Sequence, residues 1–104
     1  IKTYKTNKKT EIIAPYTMTK IKEMMMQVSK VGTAKTLVDL DGGCGVKTGT
    51  AQSSLNGKKI SHGWITGFYP EINPKYAITV IIEGTEKESK SAIPIFKEIC
   101  ENLK

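Results

Sequence analysis

Apolar residues along this 104-residue chain recur first at a helical period, then at a period of two, then at a helical period again. Between Thr17 and Val31, Met18, Ile21, Met25 and Val28 fall on one face at helical spacing. Thr17 can cap this helix, Lys30 suits its negative end, and Gly32 can supply a left-handed stop. Met24 and Met26 widen the face; a promiscuous binding face is one reading, and methionine as core filler is the reading adopted. Thr33 to Leu40 is ambiguous, and Asp39 to Gly43 reads as a turn. A strand is predicted from Cys44 to about Ser53, and Asn56-Gly57 is a hairpin signal. The next strand, about Lys59 to Phe68, places Ile60, His62, Trp64, Thr66 and Phe68 on one face. Its other face holds Ser61, Gly63, Ile65 and Gly67, small enough for a bulky neighbour to pack there. Pro70 and Asn73-Pro74 mark the following turn.

Tyr76 to Ile82 is nearly continuously apolar and mostly β-branched, the pattern of a strand buried on both faces. Gly84 to Glu88 reads as a polar turn. Ser89 or Ser91 can cap a last helix, with Pro94 in its first turn and an apolar stripe of Ala92, Ile95, Phe96, Ile99 and Leu103. Residues 1–14 are rich in lysine and threonine and read as a strand or an extended arm, broken by Pro15. The expected architecture is α+β: an arm or extra strand over 1–16, then helix-β-β-β-helix over 17–104, with a three-stranded antiparallel meander and the last helix packed on the sheet.

A chain of this length is one small domain or part of one, able to bury roughly two-thirds of its unfolded surface. Its hydrophobic share of 38% is low for that task. With Ile1 in place of a methionine, a piece of a longer protein is expected. Net charge is +6, and every one of the 16 basic residues is lysine. Nucleic-acid readers lean on arginine for bidentate contacts. The lysines are scattered, with only Lys8-Lys9 and Lys58-Lys59 as pairs, so they read as a solvated surface and no nucleic-acid partner is expected. Cys44 and Cys100 lack metal-like spacing and are expected to be buried free thiols. No metal and no cofactor is expected. The longest apolar run is far short of a membrane span and no signal peptide is seen, so an anchor would lie upstream. His62, the lone histidine, sits in a strand beside an aromatic and is read as structural.

What remains is the stretch from Val46 to Gln52, which contains Lys47-Thr48-Gly49. K-T-G is a signature of serine enzymes that react with penicillin. It follows Gly42-Gly43-Cys44-Gly45 and precedes His62-Gly63-Trp64-Ile65-Thr66-Gly67-Phe68-Tyr69-Pro70, then the apolar run from Tyr76 to Ile82. In that order and at those intervals, the chain from about Thr17 onward resembles the C-terminal part of a penicillin-binding protein transpeptidase domain, most like the class B, monofunctional branch.

The residue types suit that chemistry. Acyl transfer by a serine enzyme needs a nucleophile, a base, an oxyanion hole and a clamp for the substrate. Lys47 offers a positive charge for a substrate carboxylate, the Thr48 and Thr50 hydroxyls can hydrogen-bond it, and Gly49 lets a substrate approach the backbone. An edge strand would also let a peptide add by main-chain pairing. Strand alternation puts Lys47 on one face and Thr48 with Thr50 on the other. All three reach one cleft only if the strand is an edge and the cleft wraps round it.

The resemblance implies more. It implies a fragment of the penicillin-binding transpeptidase and serine β-lactamase-like fold, with a five-stranded sheet in which the counterpart of Tyr76 to Ile82 is central. It implies that Lys47 is catalytic, supporting the proton network and the substrate carboxylate. Thr48, Gly49 and Thr50 would bind substrate, and the Thr50 backbone N–H would form half of the oxyanion hole. Partners would be the D-alanyl-D-alanine end of a peptidoglycan stem peptide and the β-lactams that imitate it, met at the extracytoplasmic face of the bacterial membrane by a membrane-anchored parent. Trp64 would be structural. Val46 stands where the family usually has glycine. The family's S-x-x-K and S-x-N motifs do not stand upstream of the triplet, so this chain alone is expected to be inert and unmodified by penicillin. The apolar edge left by the missing part of the domain would be covered by residues 1–14 or by another copy of the chain. The other readings are a β-lactam sensor, which acylates without cross-linking, and a small basic interaction domain with an accidental triplet.

Overall fold

The computed structural model describes residues 10–85 and 91–103, and its elements follow the expected order. Helix α1 spans Pro15–Lys30. It starts two residues before Thr17, because Pro15 occupies the first turn, where its missing N–H does no harm. Ala14 is the N-cap and no side chain caps it, so Thr17 is not the cap. The C-terminus also departs from expectation. Gly32 does not take a left-handed conformation. The N–H groups of Val31 and Gly32 both donate to the Gln27 carbonyl, at 2.9 and 3.1 Å. Gly32 is needed for closeness instead: a Cβ there would lie 2.9 Å from the Val28 α-carbon. The ambiguous stretch that follows holds a 3-10 turn at Lys35–Leu37, which buries Leu37.

Strands β1 (Gly45–Leu55), β2 (Lys58–Tyr69) and β3 (Tyr76–Thr85) form one antiparallel sheet in the order β1-β2-β3. The β1–β2 hairpin turns on Asn56 and Gly57, both at positive φ (51° and 75°), as a two-residue turn that matches strand twist requires. The turn fixes the register, so Leu55 faces Lys58, Gly49 faces Trp64 and Gly45 faces Phe68. Helix α2 (Ile93–Asn102) closes the chain with Ala92 as its N-cap and no capping side chain. Ser91 is therefore not that N-cap, and Ser89 lies outside the described residues. The expected arm over residues 1–14 also lies mostly outside them; residues 10–14 carry no regular structure.

The core sits on one face of the sheet. Val46, Ile65 and Val80, one from each strand, are buried with Ala92, Ile93, Phe96 and Cys100 from the α2 region and with Leu37, Leu40 and Cys44. Ile65 shares its face of β2 with Gly63 and Gly67, and the bulk expected against those small residues is present. Of the stripe expected on α2, Ala92 and Phe96 are buried and Ile99 and Leu103 pack against the core; Ile95 is exposed instead, and Ile93 and Cys100 join the buried face.

Two burial expectations fail for a common reason. β3 is not buried on both faces: Val80 is buried, but Ile81 on the opposite face is 61% exposed. α1 does not place its methionines in the core: Ser29 is its one buried residue among the described ones, and Met24 is 62% exposed. In both places only part of the apolar surface reaches the single core, through Val28 of α1 and Ile78, Val80 and Ile82 of β3, while Met24 and Ile81 are left exposed.

Candidate functional site

Among the described residues β1 is an edge strand, as the alternation of Lys47 and Thr48 required. The Gly45 carbonyl lies against Gly67 of β2, so Gly45 turns its peptide groups inward. By the two-residue alternation of an antiparallel ladder, Lys47 and Gly49 do the same, while Val46, Thr48 and Thr50 present N–H and C=O along the free edge. Lys47 uses that edge. Its Nζ donates to the Thr48 carbonyl at 2.7 Å, so the lysine starts on one face and its ammonium curls onto the rim beside Thr48. Thr48 and Thr50 point to the other face, yet they differ. Thr48 is 7% exposed, at the border of the core, while Thr50 is exposed. The structure thus brings the Lys47 ammonium to the backbone of Thr48, and leaves the Thr50 side chain as the freer of the two hydroxyls.

Gly49 has a second use that its sequence context did not bring out. A Cβ there would clash with the Trp64 ring, and one on Gly45 would clash with the Phe68 ring. Each aromatic of β2 lies across the bare backbone directly opposite on β1. This gives the structural reading of Trp64 a mechanism: the indole clamps the triplet strand from the Lys47 face. The Lys22 ammonium lies 5.8 Å from the Phe68 ring centroid, within cation–π reach. The signal was available, since counting back from the Asn56-Gly57 hairpin already puts Gly49 opposite Trp64.

The upstream end of β1 is fastened by polar contacts. Ser29 Oγ donates to the Cys44 carbonyl at 2.7 Å, joining α1 to the strand entry. The Tyr69 hydroxyl donates to the Asp41 carbonyl at 2.7 Å, and the Glu71 N–H donates to the Gly42 carbonyl at 3.0 Å. Lys30 and Glu71 form an ion pair at 3.5 Å. Gly42 and Gly43 carry positive φ (94° and 67°), and a Cβ on either would press on Tyr69 or Glu71. Cys44 and Cys100 are free and buried, as expected. Burial pushes both thiols up, that of Cys100 to about 12, with the neighbouring Cys44 adding to it.

At the downstream end, His62 is held on both sides. The Gly84 N–H donates to its Nδ1 at 3.1 Å, and its Nε2 lies 2.7 Å from Ser53 Oγ. Between this end and the entry, an open groove of about 470 Å³ is lined by Ile21, Met24, Met25 and Val28 of α1 and by Lys47. Among the described residues no cluster of three or more histidine, cysteine or acidic side chains could hold a metal, and no helix is long and apolar enough to cross a membrane.

The described residues thus form a three-stranded meander with the Lys47-Thr48-Gly49 strand at one edge, a helix before it and a helix packed on the sheet. The model of the penicillin binding protein transpeptidase domain family matches residues 2–101, and the chain belongs to that family. Its α+β fold agrees with part of the transpeptidase fold. The chain is 32% identical over 96 residues to the probable peptidoglycan D,D-transpeptidase PenA of Neisseria flavescens. That alignment takes in 85% of this chain and 24% of the relative, so the chain spans about a quarter of that protein's length.

Proposed function

We propose that this chain supplies the substrate-clamping strand of a peptidoglycan D,D-transpeptidase. The observation that carries the reading is the Lys47 ammonium folded onto the free edge at the Thr48 carbonyl, next to the outward-facing backbone of Thr50. An extended stem peptide adds along this edge as a further strand, through the peptide groups of Thr48 and Thr50. Its terminal carboxylate meets the Lys47 charge and the Thr50 hydroxyl, with the Thr48 hydroxyl at the inner rim. The Thr50 N–H donates to the carbonyl oxygen as it gains charge, the second donor being the N–H of the nucleophile. The serine nucleophile comes from the part of the longer protein that precedes this segment. It forms the acyl-serine that a second stem peptide resolves, and β-lactams enter by the same route. This segment alone is inert, and penicillin leaves its mass unchanged.

The parent is anchored in the bacterial membrane and works on its extracytoplasmic side. Similarity to a D,D-transpeptidase favours cross-linking over a sensor that only acylates. The outer edge of β3, with Tyr76 and Ile81 exposed, is where another strand or a second copy of the chain would pair.

The test is fluorescent-penicillin labelling of the longer protein. Lys47→Ala is expected to slow acylation by about 10²-fold or more, the scale of a lost acid–base or oxyanion group. Unchanged labelling would overturn the reading and leave a small basic interaction domain in its place.

A further inference from the structure

We propose that His62 is a positioning residue for acylation, a reading that rests on the proposed clamp: it holds the outer half of β1, and with it the Thr50 N–H, in place. Three observations carry this. First, the β2–β3 ladder slips at His62. Gly63 pairs with Ile82 and Ser61 with Thr85, so Glu83 and Gly84 both lie opposite His62. Gly84 takes φ 66°, the left-handed glycine of a bulge. A bulge leaves its extra residue outside the regular ladder, and the His62 ring takes up the Gly84 N–H at 3.1 Å.

Second, that donor fixes the ring. A backbone N–H only donates, so Nδ1 must be the unprotonated nitrogen. In the neutral ring Nε2 then carries the proton and donates to Ser53 Oγ at 2.7 Å. One tautomer makes both bonds, and one side chain spans all three strands.

Third, β1 needs a tie at this point. Phe68 and Trp64 clamp its first half by lying across Gly45 and Gly49. From Thr50 to Ser54 every residue is exposed, and the partner of Thr50 is Gly63, which has no side chain to lay across it. The His62–Ser53 bond fastens the strand beyond Thr50. A donor that must meet a developing charge tolerates little displacement, since about 1 Å of misplacement can cost about 10²-fold in rate.

The experiment measures acylation of the longer protein by a fluorescent penicillin across a concentration series, separating the limiting rate from half-saturation. His62→Ala and Ser53→Ala are each expected to lower the limiting rate on the order of ten-fold with half-saturation little changed, a partial misplacement on that scale. The double variant should lose no more than either single one. His62→Gln, whose amide can still donate to Ser53, should recover most of the rate. A wild-type limiting rate in Ser53→Ala, additive losses, or no recovery with Gln would overturn the inference. Should His62→Ala not fold, Ser53→Ala decides alone. Lys47→Ala is run alongside: full labelling there sinks the clamp itself, whereas its loss together with a normal Ser53→Ala sinks only the role of His62.

Discussion

The two faces of the sheet are built on different plans. On the α2 side, Val46, Ile65 and Val80 meet Phe96 and Ile93 with almost no exposed surface. On the other side, Trp64 and Phe68 lie across bare glycines, Lys47 reaches for the rim, and Ile81 stands open. The first face holds the sheet together through area removed from water. The second shapes the triplet strand by contact between individual rings and backbone, and leaves space beside it. The buried face and the glycine-aromatic face with Lys47 are thus carried by alternate residues of the same strands, Thr48 and Thr50 lying on the core's side of β1, and the two faces should respond to substitution separately.

The largest effect should come from the buried face. Phe96 is fully buried, and Phe96→Ala should cost about 3–5 kcal/mol in urea unfolding. On the clamp side, Gly49→Ala drives a methyl into the Trp64 ring and should cost about 1–3 kcal/mol, with acylation of the longer protein falling further than stability alone explains. Equal losses at both faces, or Gly49→Ala without a kinetic effect, would erase the contrast.

The buried thiols give a pH test of the first face. Their values are raised by burial, so the folded state keeps its protons where the unfolded chain, near 9.0, loses them. Their contribution is complete below about pH 9 and is lost as pH rises toward about 12, so unfolding midpoints should fall over that window. A Cys44→Ala, Cys100→Ala variant should lose this slope. The smallest effect belongs to the open face: Ile81→Thr should move stability by no more than about 0.5 kcal/mol.

Much of this was legible beforehand. The Asn56-Gly57 turn, the alternation along β2 and the K-T-G strand as an edge all follow from local rules, and hairpin register alone carries Gly49 to Trp64. Terminal chemistry was less legible. Thr17 is a good cap residue, but Pro15 upstream of it already suits a first turn, and the helix starts there. Burial was least legible where it depends on what lies opposite. The methionines of α1 and the β-branched run of β3 record that these surfaces are apolar. They do not record whether the single core covers them, and it covers only one side. His62 was read as structural from its isolation; its three-strand role depends on a bulge at Gly84 that no spacing in the sequence announces.

The most direct test of the clamp is the structure of the longer protein acylated by a penicillin. The account predicts the acyl carbonyl oxygen at hydrogen-bond distance, about 2.7–3.1 Å, from the Thr50 nitrogen, with the antibiotic's carboxylate beside Lys47 and the Thr50 hydroxyl. An acyl group whose carbonyl points away from β1, with Thr50 untouched, would contradict it.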